Sequence, residues 1–524
     1  MSAEMLPAAI RRWALERPDA PAVIALSHRG EERSVEVLTY RELDCAASAL
    51  AALIRTATAP GDRVAVACEY GFDHVVAFLA CLYSGRTAVP LAAPTRPRAA
   101  DRLGAALVRV RPTLALLSRG AAGGVADGVR VLTVSIDRSA PPISPDATVR
   151  DPAYLQYDSD ALVDPGQLAA ALDRLRAHFP VVAERPVVSW LPPHHCVGLV
   201  FALSLPLYCG VPAITLPPAE FVARPIRWLR ACSDFHAGAT ASPNAGLGLA
   251  VSATTPAERA GLELSGLAVL LGCAEPVRAE PLSAFTRAFA PYGFRHAAHT
   301  PTYTTPAMPL PVTCAAPADD PVCEEFDRTE LTAGRAVPRR DGLALVGCGE
   351  PLGRAVRIVD PIAHEDVATG RVGEIWVADP SGRAENWLRT GDLGFRHDGQ
   401  LYPTGRLPGL LRIDGRTHYP GDIEATVAEA SGPLRPGRIA AFTHDENSLI
   451  VVAEFDDGTA DPAQAVTHIR AAIADRHGIT PADIVLVPPG SLPRTSDAPR
   501  RRAESRARYR DGRLPRLTTE RPST

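Results

Sequence analysis

Two hydrophobic periods alternate along the first half of the chain. Residues 6–17 and Tyr40 to Ile54 carry apolar positions at helical spacing, and Arg63-Val64-Ala65-Val66-Ala67 reads as a strand after the turn Pro60-Gly61-Asp62. His74 to Gly85 predicts a further helix closed by its glycine, followed by the short strand Thr87-Ala88-Val89-Pro90. The same grammar recurs at Val187 to Leu191, Val197 to Gly210 and Pro212 to Leu216. Strand and helix in alternation imply parallel strands joined by helices, an α/β core.

After about residue 340 the texture becomes β-rich, with Ala355-Val356-Arg357-Ile358-Val359 and Gly373-Glu374-Ile375-Trp376-Val377 separated by Gly turns. A small α+β unit follows, predicted as helix Tyr419 to Ala430, strand Leu449 to Phe455, helix Pro462 to Arg476 and strand Ile484 to Val487. The expected division is a large domain over 1–404, a small domain over 405–503, and an arginine-dense tail over 504–524 with no apolar period, read as disordered. The longest apolar stretch, Cys196 to Pro217, is broken by Pro206 and Gly210. It reads as a buried helix and strand, because a membrane span needs roughly 20 uninterrupted apolar residues.

Composition sharpens the picture at one point. None of the 524 residues is lysine, so all 55 basic side chains are arginine. A Schiff-base lysine, a phosphate-loop lysine and a lysine clamp on a carboxylate are therefore excluded, since a guanidinium does not replace an ammonium in those roles. A net charge of −4 with interspersed signs gives no general attraction for nucleic acid or an anionic membrane. The 10 cysteines form no C-x-x-C pair and no zinc spacing, and read as free thiols of a reducing cytoplasm. No signal peptide is expected from the opening Met1-Ser2-Ala3-Glu4.

Six ordered stretches resemble the fatty acyl-AMP ligases of the adenylate-forming superfamily. They are Leu38-Thr39-Tyr40-Arg41-Glu42-Leu43, Pro60-Gly61-Asp62-Arg63-Val64, Val188-Ser189-Trp190-Leu191-Pro192-Pro193, Gly272-Cys273-Ala274-Glu275-Pro276-Val277-Arg278, Trp387-Leu388-Arg389-Thr390-Gly391-Asp392-Leu393-Gly394 and His418-Tyr419-Pro420-Gly421-Asp422-Ile423-Glu424. The resemblance runs from about residue 6 to 503 and implies a large N-terminal α/β domain with a smaller C-terminal one. The stretch from Phe326-Asp327-Arg328 through Gly334-Arg335-Ala336-Val337-Pro338 to Val346-Gly347-Cys348-Gly349 looks like the insertion that accompanies delivery to an acyl carrier protein in place of free coenzyme A; ordinary loop variation is the alternative.

Against the same family the chemistry departs. The phosphate-loop pattern Y-T-S-G-S-T-G-x-P-K-G is Tyr157-Asp158-Ser159-Asp160-Ala161-Leu162-Val163-Asp164-Pro165-Gly166, with Gly166 in the lysine's place. Asp158 and Asp160 read as solvated loop residues or as helix caps for Gln167 onward, with a bound cation the weaker alternative. The glutamate of Y-G-L-A-E, which helps hold Mg²⁺ in the family, is Ala307. H-D-M-G is His195-Cys196-Val197-Gly198, G-R-x-K-D is Gly405-Arg406-Leu407-Pro408-Gly409, and Pro499 stands where the tail pattern places the catalytic lysine. ATP with Mg²⁺ is therefore disfavoured as a cofactor.

The nucleoside positions implied by the resemblance persist: Ala274 and Glu275 beside adenine, Tyr303 against the base, Asp392 accepting from the ribose hydroxyls, and Arg406 approaching the nucleotide. AMP or an adenosine moiety is the compatible ligand, while simple turn-forming and hinge roles for these residues stay open. His195 is a candidate general base and Cys196 a candidate nucleophile, the latter needing a histidine brought by the fold, such as His299; a small buried thiol starting a helix is its alternative. The expectation is an acyl-binding relative of the ligases, its acyl group presented by a carrier protein in specialised lipid, polyketide or peptide biosynthesis. ATP-dependent adenylation would be lost, and ATP-independent acyl transfer or condensation open to it. A non-catalytic scaffold and an atypical ligase are the alternatives.

Overall fold

The computed structural model describes residues 4–95, 97–121, 128–143, 152–157, 159–273, 275–305, 307–309, 311–379, 386–407, 410–413, 416–430, 434–445, 448–456, 461–493 and 498–517. The chain forms two compact units, Met1–Val322 with Cys348–Arg354, and Cys323–Gly347 with Ala355–Thr524.

The first unit holds two sheets. In the nine-stranded sheet, Pro21–Arg29, Ala213–Thr215, Val187–Ser189, Ala239–Ser242, Val269–Gly272 and His299–Tyr303 run parallel, and antiparallel strands close both edges. The six-stranded sheet is built on Arg63–Ala67, flanked in parallel by Thr87–Pro90 and Leu114–Leu117, and ends in the antiparallel pair Tyr154–Gln156 and Ala161–Val163. The strand segments read from sequence form as expected, each buried on both sides, as parallel strands covered by helices must be. Helix Tyr40–Ala57 starts on a capping box between Thr39 and Glu42, and helix Phe72–Ser84 stops at Gly85, whose φ of +68° is left-handed.

The apolar stretch from Cys196 becomes a wide-turned π-helix, Val197–Ser204, continued by the α-helix Leu205–Cys209 and the strand Ala213–Thr215. Every residue of the π-helix is buried. Among the described residues no helix is long and apolar enough to cross a membrane.

The second unit contains the antiparallel sheet Val356–Val359, Gly373–Ala378, Trp387–His397, Gln400–Arg406, and a three-stranded sheet with helices Pro420–Ala430, Pro462–His477 and Ala498–Arg510. The domain break expected at 404 falls inside the strand Gln400–Arg406, which continues past a register shift at Thr404 into the pairs Leu393↔Gly405 and Asp392↔Arg406. Within the stretch read as an insertion or a variable loop, strands Cys323–Phe326 and Leu343–Val346 pair antiparallel, and the Phe326 ring meets Phe395 and Tyr402 edge-on at 4.9 and 5.3 Å.

The reading of the tail is corrected. Residues 504–510 lie in the helix Ala498–Arg510, Leu514 joins an apolar cluster with Phe442 and Val485, and 518–524 are outside the described residues. Arginines hold this helix where an apolar stripe is missing. Arg502 grips Glu424 with two bonds of 2.7 and 2.9 Å, the buried Arg501 lies 3.8 Å from the same carboxylate, and the Ala441 N–H donates to it at 3.0 Å. Glu424→Ala removes the acceptor of that N–H and the carboxylate that Arg502 grips, so a loss of about 3 kcal/mol in the unfolding of this unit is expected by denaturant titration. A loss below about 0.5 kcal/mol would mean the cluster behaves as a solvated surface pair.

Candidate functional site

The site residues of the first unit follow the carboxyl ends of its parallel strands, where open α/β sheets place their ligands. At the end of Tyr154–Gln156 the chain does not open into a glycine-rich loop. It turns back at once, pairing Gln156 with Ala161, Leu155 with Leu162 and Tyr154 with Val163. Three backbone donors along this stretch are taken within it: Ser159 N–H by the Gln156 carbonyl at 3.2 Å, Ala161 N–H by the Ser159 hydroxyl at 3.4 Å, and Asp164 N–H by the Gln167 side chain at 3.2 Å.

Asp160 sits at the turn with φ +54° and accepts from Arg109 at 2.5 Å on the exposed surface, while the Arg109 guanidinium lies 4.7 Å over the Tyr157 ring. Asp160 is therefore not a helix cap. Asp164 has that role, in a capping box with Gln167 that starts the helix Pro165–His178 and puts Gly166 in its first turn. Asp158 lies outside the described residues, as does Ala274.

Gln156 was not singled out from the sequence, yet it ties this hairpin to the next strand end. Its side chain is 3 % exposed and donates to the His194 carbonyl at 3.0 Å. The only signal was an amide inside an apolar strand. The turn it supports is tight: His195 N–H reaches the Pro192 carbonyl at 3.2 Å, and a Cβ on Gly198 would stand 2.2 Å from that same oxygen. Only glycine lets the helix after His195 close onto Pro192.

His195 is half-buried, and its ring lies 4.4 Å from that of His194 at an interplanar angle of 45°. Cys196, also half-buried, takes the N-cap position of the π-helix with helical backbone angles. Its field reaches Tyr154 and Cys273, whose hydroxyl and thiol are pushed up first by burial and then by Cys196. His299 is engaged with Leu282 and Thr286. Its Nε2 is 3.1 Å from the Leu282 carbonyl and 3.2 Å from the Thr286 hydroxyl, and burial, aided by His296, lowers its pKa to about 3.

Glu275 accepts the Ala245 N–H at 3.1 Å in the first turn of helix Asn244–Ser252, and Asn244 ties the same loop through Pro276 and Arg278 at 2.9 and 3.1 Å. Tyr303 ends its strand buried, its carbonyl taking the Val312 N–H at 2.7 Å; Ala307 follows in a half-buried turn that supplies no carboxylate.

In the second unit, Thr390, Gly391 and Asp392 leave the ladder as a bulge: Trp376 pairs with Arg389 and Glu374 with Leu393, so the intervening residues stand opposite Ile375 alone. Asp392 accepts from Arg406 Nε at 2.5 Å, joining two of the expected nucleotide residues. Pro499 lies in the first turn of helix Ala498–Arg510, a position proline suits and from which it offers no charge.

A large α/β unit with parallel strands ending in these loops, and a smaller α+β unit, match the adenylate-forming fold. The chain matches the family described as AMP-binding enzyme over residues 10–383, and the Disco-interacting protein 2-like AMP domain over 409–519. It is 32% identical to the long-chain-fatty-acid–AMP ligase FadD26 of Mycobacterium marinum, covering 98% of each chain, and 33% identical to FadD32 of Mycolicibacterium smegmatis, covering 96% of this chain and 94% of that one. Among solved structures, the Legionella pneumophila fatty acyl-adenylate ligase in complex with acyl adenylate and pyrophosphate has a TM-score of 0.74 at 29% identity, covering 99% and 98% of the two chains. A fatty acyl-adenylate ligase from a study of the E. coli and L. pneumophila proteins has a TM-score of 0.84 at 28% identity, covering 97% and 98%. The chain belongs to the fatty acyl-AMP ligase family.

Proposed function

We propose that this member of the family binds an acyl group, presented by an acyl carrier protein in the cytoplasm, and does not activate it with ATP. The observation that carries this reading is the hairpin at 156–167. The N–H groups of Ser159, Ala161 and Asp164 are committed inside the chain, and Asp160, paired with Arg109, and Asp164, capping the next helix, occupy positions that by resemblance belong to the family's phosphate loop. Gly166, Ala307 and Pro499 remove the further cationic and metal-holding groups, so the residues present do not fit Mg²⁺ and a triphosphate. No step through ATP is derived.

The nucleoside residues fare better. Glu275 and Tyr303 persist in the first unit, and Asp392 with Arg406 in the second. The chemistry open to such a site is acyl transfer or condensation from a carrier-bound thioester, with His195 as general base. Its imidazole stands beside the strand ends on a turn fixed by Gln156 and Gly198. The stretch read as an insertion supports a carrier protein as donor, by resemblance.

Calorimetry with the full chain tests the loss of the phosphate half. AMP is expected to bind at least about fivefold more tightly than ATP, because one like charge about 4 Å from a carboxylate costs ~1 kcal/mol in water and ~4 at an effective dielectric near 20. ATP binding more tightly than AMP would overturn the reading.

A further inference from the structure

A bulge leaves backbone N–H groups that the ladder no longer satisfies. In the bulge carrying Asp392, two side chains take them. The Thr390 hydroxyl accepts the Asp392 N–H at 3.0 Å and donates to the Ile375 carbonyl at 2.6 Å. Glu374 Oε1 accepts the Gly391 N–H at 3.1 Å.

Glu374 is 1 % exposed, and a carboxylate is taken out of water only when its oxygens are met by donors. Its Oε2 accepts the Trp376 indole N–H at 2.9 Å and Arg389 through Nε at 3.1 Å and Nη2 at 3.0 Å. The side chain is thus held on one oxygen by its own strand and by Arg389, leaving the other to fix the bulge. Gly391 has φ +71°, a left-handed conformation that the Glu374 bond and the Leu407 N–H to Gly391 carbonyl bond of 2.7 Å stabilise together. Immediately after it Asp392 pairs with Arg406.

We propose that Glu374 is the positioning residue for Asp392: by holding the Gly391 N–H it sets the bulge that brings the Asp392 carboxylate to the vicinal diol of a ribose. The inference rests on the reading that the nucleoside half of the site is used. It adds a residue outside the set expected from sequence.

The test compares adenosine with 2′,3′-dideoxyadenosine by calorimetry, in the full-length wild type and in Glu374→Ala and Glu374→Gln. The wild type is expected to prefer adenosine by about tenfold, the scale of one hydrogen bond to a charged group. Glu374→Ala is expected to lose that preference while binding the dideoxynucleoside as before, and Glu374→Gln, which keeps an acceptor for Gly391, to recover most of it. Retention of the preference in Glu374→Ala would overturn the proposal, as would an equal loss of both ligands, the mark of a purely structural role. A wild type that binds neither nucleoside, or shows no preference, would instead overturn the nucleoside reading itself. Should Glu374→Ala fail to fold, Glu374→Asp, whose shorter side chain withdraws the carboxylate from the Gly391 N–H, is expected to lose the preference in its place, and its full retention there would contradict the proposal.

Discussion

His195→Ala is expected to lower turnover of an acyl carrier protein thioester by ~10²–10⁴, the usual contribution of a positioned general base. The substitution leaves the turn intact, because the backbone of His195 is held at both ends: its N–H by the Pro192 carbonyl at 3.2 Å, and its carbonyl by the Leu199 N–H at 2.9 Å. Loss of rate would then report the imidazole and not the fold. Cys196→Ser is expected to change little. Adjacent residues at the start of a helix do not face one another, so His195 is poorly placed to activate its neighbour. The buried His299 is committed to Leu282 and Thr286. Intact-mass spectrometry of the carrier protein checks both variants: unchanged turnover in His195→Ala would remove His195 from the chemistry, and an acyl adduct that vanishes in Cys196→Ser would move the chemistry to the thiol.

The large architecture was legible because its signals are local and redundant. The strand Arg63–Ala67 is apolar and buried from Val64 onward, and Gly85 stops the following helix in a left-handed cap, so the pattern and the punctuation agree. Three features were not legible, each for a different reason. The helix Ala498–Arg510 has no apolar period, since Arg501 and Arg502 fix it through Glu424, and charge pairs across sequence leave no periodic trace. The strand Glu32–Thr39 is exposed over most of its length at a sheet edge, so burial never imposed a strong pattern on it. The π-helix Val197–Ser204 is buried all round, and a uniformly apolar run cannot reveal how widely it turns.

In the site, residue identity spoke more clearly than partnership. The losses at Gly166, Ala307 and Pro499 are visible in the sequence, but which aspartate would cap the helix was not: Asp160 pairs with Arg109 across 51 positions while Asp164 takes the cap. Glu374 and Gln156 gave only a polar residue inside a strand. Their meaning comes from the Gly391 N–H and the His194 carbonyl that they hold.

The central claim is that adenylation has been lost, and exchange of labelled pyrophosphate into ATP tests it most directly. In the family this exchange needs the phosphate loop, the metal carboxylate and the lysine, and the chain has replaced all three, with the N–H groups of Ser159, Ala161 and Asp164 bonded within the chain. No exchange above background is expected with fatty acids of any chain length in the presence of Mg²⁺. Robust exchange that depends on the fatty acid and disappears when Mg²⁺ is removed would contradict the account and make the protein an active acyl-AMP ligase.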